Sequence, residues 1–202
     1  PSGAGACGVG QEQAPAALRS AGLLEMLSRA GFEVSDLGDS AVVPWRPDRA
    51  RPRAQNLEAV TQVVKTTARW VADALNQPDR KVLVLGGDCT VGIGTIDGAQ
   101  AAVGDVAVVY FDLHSDLNTP ASATDGALDW MALGQMLAIE GAEPTLATAT
   151  AKVPLLQSDQ VPLFAQDRSH ATRFERGEIE RLGLARIALE DVRDDPVAAA
   201  HQ

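Results

Sequence analysis

Two uninterrupted apolar runs, Val82-Leu83-Val84-Leu85 and Val106-Ala107-Val108-Val109-Tyr110-Phe111, constrain the fold of this chain more than any other feature. A strand with one wet face alternates apolar and polar residues, so runs without alternation suit strands covered on both faces, as in a parallel sheet. Parallel neighbours require a crossover, and the Gly-dotted segment Val91 to Ala102 between the runs has the length of a helix. The expected unit is therefore strand, helix, strand with a right-handed connection. Leu155 to Ala165, Phe174 to Leu182 and Ala185 to Leu189 continue the alternation of short strand and helix, which gives an α/β layer fold with a mainly parallel central sheet.

The first half is read from periodicity and turn residues. Gly3, Gly5, Gly8 and Gly10 make an opening loop, and Leu23, Leu24 and Leu27 place a helix over Ala16 to Ala30, stopped by Gly31. Phe32 to Leu37 alternates like a short strand, and Val42 to Arg53, with Trp45 and an arginine cluster, is an irregular loop over an apolar patch or a subunit contact. Asn56 is placed to cap a helix reaching about Asn76, with Val60, Val63, Val64, Val71 and Leu75 as its apolar stripe. With 202 residues the chain is read as one domain, 1–202. It opens at Pro1 without an initiator Met, so both ends are expected to be incomplete.

Charge narrows the partners. Lys and Arg number 17 against 27 Asp and Glu, a formal net charge of −10, which disfavours a phosphate-backbone binder and makes cations the expected small partners. Two cysteines, Cys7 and Cys89, make no disulfide framework, and no stretch approaches the ~20 apolar residues of a membrane span. A cytoplasmic protein that touches neither nucleic acid nor membrane is expected.

Ligands gather at the carboxyl ends of parallel strands, where this chain carries Gly86-Gly87-Asp88-Cys89-Thr90 and Asp112-Leu113-His114-Ser115-Asp116. Asp112, His114 and Asp116 follow i, i+2, i+4 spacing, which on an extended strand end puts all three on one face. Two carboxylates and an imidazole suit a metal such as Mn²⁺, and a Cys89 thiolate would shift preference toward softer ions such as Zn²⁺. The bland alternative is a polar loop in which Asp112 and Asp116 cap turns. Ser2, Ser115, Ser122 and Ser169 lack the G-x-S-x-G nucleophile pattern, and there is no phosphate loop.

These motifs resemble those of the arginase, agmatinase and formimidoylglutamase superfamily, the ureohydrolases. Leu85 to Thr90 (LGGDCT) looks like the family's GGDH turn, and Tyr110 to Pro120 (YFDLHSDLNTP) like its DAHxD segment with the arginase-type N-T-P continuation. The opening SGAGACGVGQEQAPAALRSAGLLEML resembles the family's Gly-rich loop and first helix. The resemblance implies a three-layer arginase/deacetylase-like fold and two Mn²⁺ ions bridged by hydroxide that attacks the carbon of a guanidino or amidino group. It implies that Asp112 bridges both ions, His114 binds one and Asp116 the other. Cys89 stands where the family has a His ligand, and is either a thiolate ligand or a small buried hydrophobe.

The same resemblance places Asn118 on a substrate α-carboxylate, Asp125 where arginases carry a Ser for that carboxylate, and Asp129 where they carry a proton-shuttling His. A carboxylate at 129 shuttles only with a raised pKa, and is otherwise a surface residue. Glu175 aligns with the residue for the substrate amino group, its alternative being a solvated helix-start Glu. The implied partners are a small guanidino substrate, such as arginine or N-hydroxyarginine, and further copies of the chain in a trimer or hexamer. His170 and His201 are expected on the surface. The family's third motif, an apolar strand ending in S-x-D-x-D, is not found: Asp191 to Pro196 reads as a helix cap. With those ligands absent, cation binding is expected to be weak or confined to one ion, with little turnover. A non-catalytic relative with a regulatory or assembly role is therefore the main alternative. A zinc deacetylase is a weaker one, opposed by the N-T-P sequence after Asp116.

Overall fold

The second apolar run does end in a strand. In the computed structural model, which describes residues 1–201, β1 (Tyr110–Phe111) pairs in parallel with β2 (Leu163–Gln166), and β2 in parallel with β3 (Arg186–Ala188). The backbone bonds Val108 N to Gln160 O, 2.8 Å, and Asp112 N to Phe164 O, 3.2 Å, prolong the first ladder in both directions. The α/β class and the parallel sheet expected from the sequence are both present.

The run over Lys81 to Leu85 departs from expectation: it has no β partner among the described residues, and Leu83 is 62% exposed. Among the described residues β1 has a neighbour on one edge only, and its Phe111 is 70% exposed. A strand with two buried faces needs partners as well as apolar residues. Here the two runs flank a groove of about 390 Å³, lined among others by Val82, Val84, Val108 and Tyr110, instead of pairing with each other.

The helices are α1 (Ala14–Ser20), α2 (Leu23–Arg29), α3 (Leu57–Leu75), α4 (Thr90–Val103), α5 (Ala132–Met136), α6 (Pro144–Ala147), α7 (Arg173–Leu182), α8 (Leu189–Asp194) and α9 (Pro196–Ala199). The single helix expected over Ala16 to Ala30 is two, because Gly22 takes φ +90° and breaks the ladder between α1 and α2. Phe32 to Leu37 forms no strand. Asp36 is instead drawn to Arg19, which also holds Asp39, so this segment is tied down by ion pairs on α1 and not by a ladder.

Asn56 does sit at the start of α3, but its side chain does not cap the helix: Nδ2 donates to Arg46 O at 2.9 Å and orders the preceding loop. The buried residues Leu57, Val60, Val64 and Val71 form the apolar stripe of α3. α4 packs against α3 at very short range. A Cβ at Gly94 would lie 2.3 Å from Val64 O, and one at Gly98 would lie 2.3 Å from Ala68 O, so only glycine permits this approach. The core continues through Ile93, Leu117, Leu128, Leu133, Met136, Leu146 and Leu163. The expected cap before α9 is present: Asp195 Oδ1 accepts from Val197 N and Ala198 N. No helix among the described residues is long and apolar enough to cross a membrane.

Candidate metal centre

The turn after Leu85 is organised by Asp88. This buried carboxylate accepts from Gly5 N (3.0 Å), Thr90 N (3.0 Å), the Thr90 hydroxyl and Ser2 Oγ (3.4 Å). It thereby binds the glycine-rich opening loop to the start of α4, and burial pushes its pKa up. Val43 holds the other side of that loop through Gly3 N to Val43 O, 3.0 Å. Cys89 follows as the residue before α4, and its position is fixed by both contacts.

Beyond β1 the backbone does not stay extended. Asp112 Oδ1 accepts from His114 N at 2.9 Å, turning the chain, and Asp116 takes φ +48°, a left-handed conformation that Asp tolerates better than most residues. The extended face expected for Asp112, His114 and Asp116 is thus replaced by a folded loop. Its result is a different grouping: donor atoms of Cys89, Asp112 and Asp116 lie within 4.8 Å of one another. His114 stands at the rim, with Nδ1 3.6 Å from Asp112 Oδ1 and its ring 5.8 Å from that of His170. Asp112 therefore faces both its partners Cys89 and Asp116, in a partly buried setting, and the exposed imidazole, and it also serves as the turn cap that the bland alternative describes.

Charge in the trio is poised for a cation. Asp116 is buried and its pKa is pushed up to about 7 by that burial and by nearby Asp112, against the hydrogen bond from Tyr110 Oη at 2.5 Å. Burial, Asp116 and Asp112 also push the Cys89 thiol well up, so by itself it keeps its proton. A dication would reverse both effects, because it favours the ionised carboxylate and the thiolate.

The remaining residues expected in the site fall in three places. Asp129 is buried at 8% exposure, which corrects the surface alternative; its pKa is pushed up to about 7, chiefly by burial and then by Asp88, and Oδ1 accepts from Trp130 N. Asp125 is exposed on the preceding turn, with Oδ1 accepting from Ala127 N. Asn118 is buried, its Oδ1 accepting from Ser122 Oγ (2.9 Å) and Thr172 Oγ1 (3.2 Å). Glu175 lies in the first turn of α7 but is buried, correcting the solvated alternative. Its oxygens accept from Ser115 Oγ (3.0 Å) and Thr172 N (2.8 Å), while Thr172 Oγ1 accepts from Glu175 N (3.1 Å), a reciprocal capping box.

The profile of the Arginase family matches residues 1–200 of the chain. The chain belongs to the arginase family. Arginase of Bacillus caldovelox is 29% identical over 196 residues, covering 91% of this chain and 64% of that protein. Rabbit (Oryctolagus cuniculus) arginase-1 is 38% identical over 119 residues, 59% of this chain and 37% of that protein. A crystal structure of arginase from Bacillus subtilis superposes with a TM-score of 0.80 at 26% identity, covering 94% of this chain and 61% of that one. The formimidoylglutamase of Bacillus subtilis, at 16% identity and a TM-score of 0.53, shares the fold. This arginase-family chain thus spans less than two thirds of the length of the relatives just described.

The donor set of the arginase-family site fits one divalent cation: a thiol and two carboxylates converge at ligand-to-ligand distances, in a partly buried setting. A second cation beside it would find only Asp112 and His114 in close proximity among the described residues. Reading the sequence missed Asp88, Tyr110 and Ser115 as parts of the site. Asp88 was visible as the acid of the Gly-Gly-Asp turn, and Tyr110 as the one polar-tipped residue in an otherwise apolar run. No sequence signal marked Ser115 as the partner of a residue 60 positions away.

Proposed function

We propose that this chain carries the cation-binding part of a hydrolase that cleaves linear C–N bonds in guanidino or amidino compounds, with arginine, N-hydroxyarginine or a related guanidino acid as substrate. The convergence of Cys89, Asp112 and Asp116 at the carboxyl end of β1 is the observation that carries this reading. A divalent cation held there makes water acidic enough to serve as a nucleophile near neutral pH. Asp129, buried and with a pKa near 7, holds a proton that it can give to a leaving amine and take back from water. Asn118, whose Oδ1 is anchored by Ser122 and Thr172, would donate its amide N–H to a substrate carboxylate, which favours an amino acid over a decarboxylated amine. Glu175 acts through the capping box, holding Thr172 and Ser115 around Asn118, and Asp125 lies where a cationic or neutral group is easier to accommodate than a carboxylate.

Full activity requires more carboxylates than Asp112 and Asp116. The groove between the run at 82–85 and β1 is lined at one end by Cys89 and Asp112, so carboxylates entering it would join the donor set. Residues 1–202 alone are expected to bind at most one equivalent of Mn²⁺ or Zn²⁺ by plasma metal analysis and to release little urea from a panel of guanidino compounds. Two tightly held equivalents of Mn²⁺ would refute the single-site argument, and no binding of any cation would refute the hydrolase reading. A non-catalytic role in assembly is favoured by one observation, the exposure of His114 at the rim. For that role Asp112→Ala should leave the oligomeric state by sedimentation unchanged, whereas for the hydrolase it should abolish cation binding.

A further inference from the structure

Tyr110 is the one tyrosine of the chain and stands in β1, two residues before Asp112. Its ring packs against the hydrophobic core, and its hydroxyl donates to Asp116 Oδ2 at 2.5 Å. Asp116 itself hangs from a left-handed backbone position, so its side-chain direction is set by what grips it and not by strand geometry. A phenol offers one proton and a carboxylate two oxygens. The hydrogen bond therefore fixes the direction of the Asp116 carboxylate through Oδ2 and still leaves lone pairs for a cation.

We propose that Tyr110 is a positioning residue that aims the Asp116 carboxylate at a cation shared with Cys89 and Asp112. The proposal rests on the cation reading above. A thiolate beside two carboxylates suits Zn²⁺ and Co²⁺. Mn²⁺ is better served by a larger set of oxygen donors. Without the phenol, the Asp116 carboxylate is free to rotate away from Cys89 and Asp112, which weakens the hold on a cation.

Tyr110→Phe keeps the ring and deletes only the hydroxyl. Titration of the chain with Co²⁺, followed by the thiolate-to-cobalt charge-transfer band and the visible d–d absorption, should give a dissociation constant about 10- to 100-fold weaker in the variant, the range for loss of a group that orients a ligand. The d–d absorption should also shift, because it reports how the ligands are arranged around cobalt. A merely structural tyrosine would lower the melting temperature without changing either reading. Equal affinity and an unchanged spectrum in the variant would overturn the proposal. Failure of the unaltered chain to bind Co²⁺ would instead overturn the cation reading beneath it. Should the variant not fold, 3-fluorotyrosine incorporated into the unaltered chain gives a single ¹⁹F resonance from position 110. It should shift in proportion to added Zn²⁺ up to one equivalent, and an unmoved resonance at saturation would also overturn the proposal.

Discussion

Asp129→Asn should stabilise the protein, and by an amount that depends on pH in a direction opposite to most carboxylates. Asp129 is buried, faces Asp88 and Asp125, and accepts a hydrogen bond from Trp130 N at 3.0 Å. Those neighbours raise its folded pKa to about 7, whereas in the unfolded chain it titrates near 4. Between these values the folded protein keeps a proton that the unfolded chain has released. The contribution to stability is therefore fully present below about pH 4 and is lost as pH rises toward 7. A window of about three pH units at about 1.4 kcal/mol each gives an upper bound of about 4 kcal/mol lost at pH 8. Asparagine keeps the oxygen that accepts from Trp130 N and carries no charge, so the variant escapes this loss. Its removal also relieves Asp88, whose pKa is raised by burial, so the measured value belongs to the coupled group. Melting temperatures of both proteins, followed by far-UV circular dichroism in chelator-treated buffers from pH 4 to pH 8, should coincide at the acid end. They should diverge by on the order of 10 °C at pH 8, given about 2–4 °C per kcal/mol for a chain of this size. A difference that is flat with pH, or a less stable variant at pH 8, would show that Asp129 is ionised and well solvated in the folded state.

Gly98→Ala should destabilise by about 1–3 kcal/mol, because the new Cβ would meet Ala68 O at 2.3 Å and force α3 and α4 apart; chemical denaturation with urea measures it. Thr172→Ala removes one half of the capping box on α7 and should cost about 1 kcal/mol in the same assay. Zn²⁺ at about one hundred times its dissociation constant should stabilise the chain by about 2.7 kcal/mol. At the same concentration the gain should largely vanish in Cys89→Ala, and a thermal shift that survives the substitution would remove Cys89 from the ligand set. Leu133→Ala, in the fully buried core beside the site, should cost about 2–5 kcal/mol.

Much of the architecture was legible one residue at a time. The stripe of α3 is legible because local pattern and burial coincide there, and the apolar run ending at Phe111 predicts a parallel strand although Phe111 itself stays 70% exposed. The acidic and cysteine donors were legible as residue types at strand ends. What the sequence could not set was their grouping. The spacing of Asp112, His114 and Asp116 predicts one extended face, but a turn at Asp112 and a left-handed Asp116 bring in Cys89 and leave His114 outside. Likewise, the burial of Asp129 and Glu175 and the grip of Tyr110 on Asp116 depend on chain segments distant in sequence or on a bent backbone. Side-chain periodicity is a property of a few bonded neighbours, and so the amino-acid order determines which elements form. The pKa of a carboxylate and the direction of a ligand depend on whatever packs within a few ångströms, and only the tertiary structure decides that.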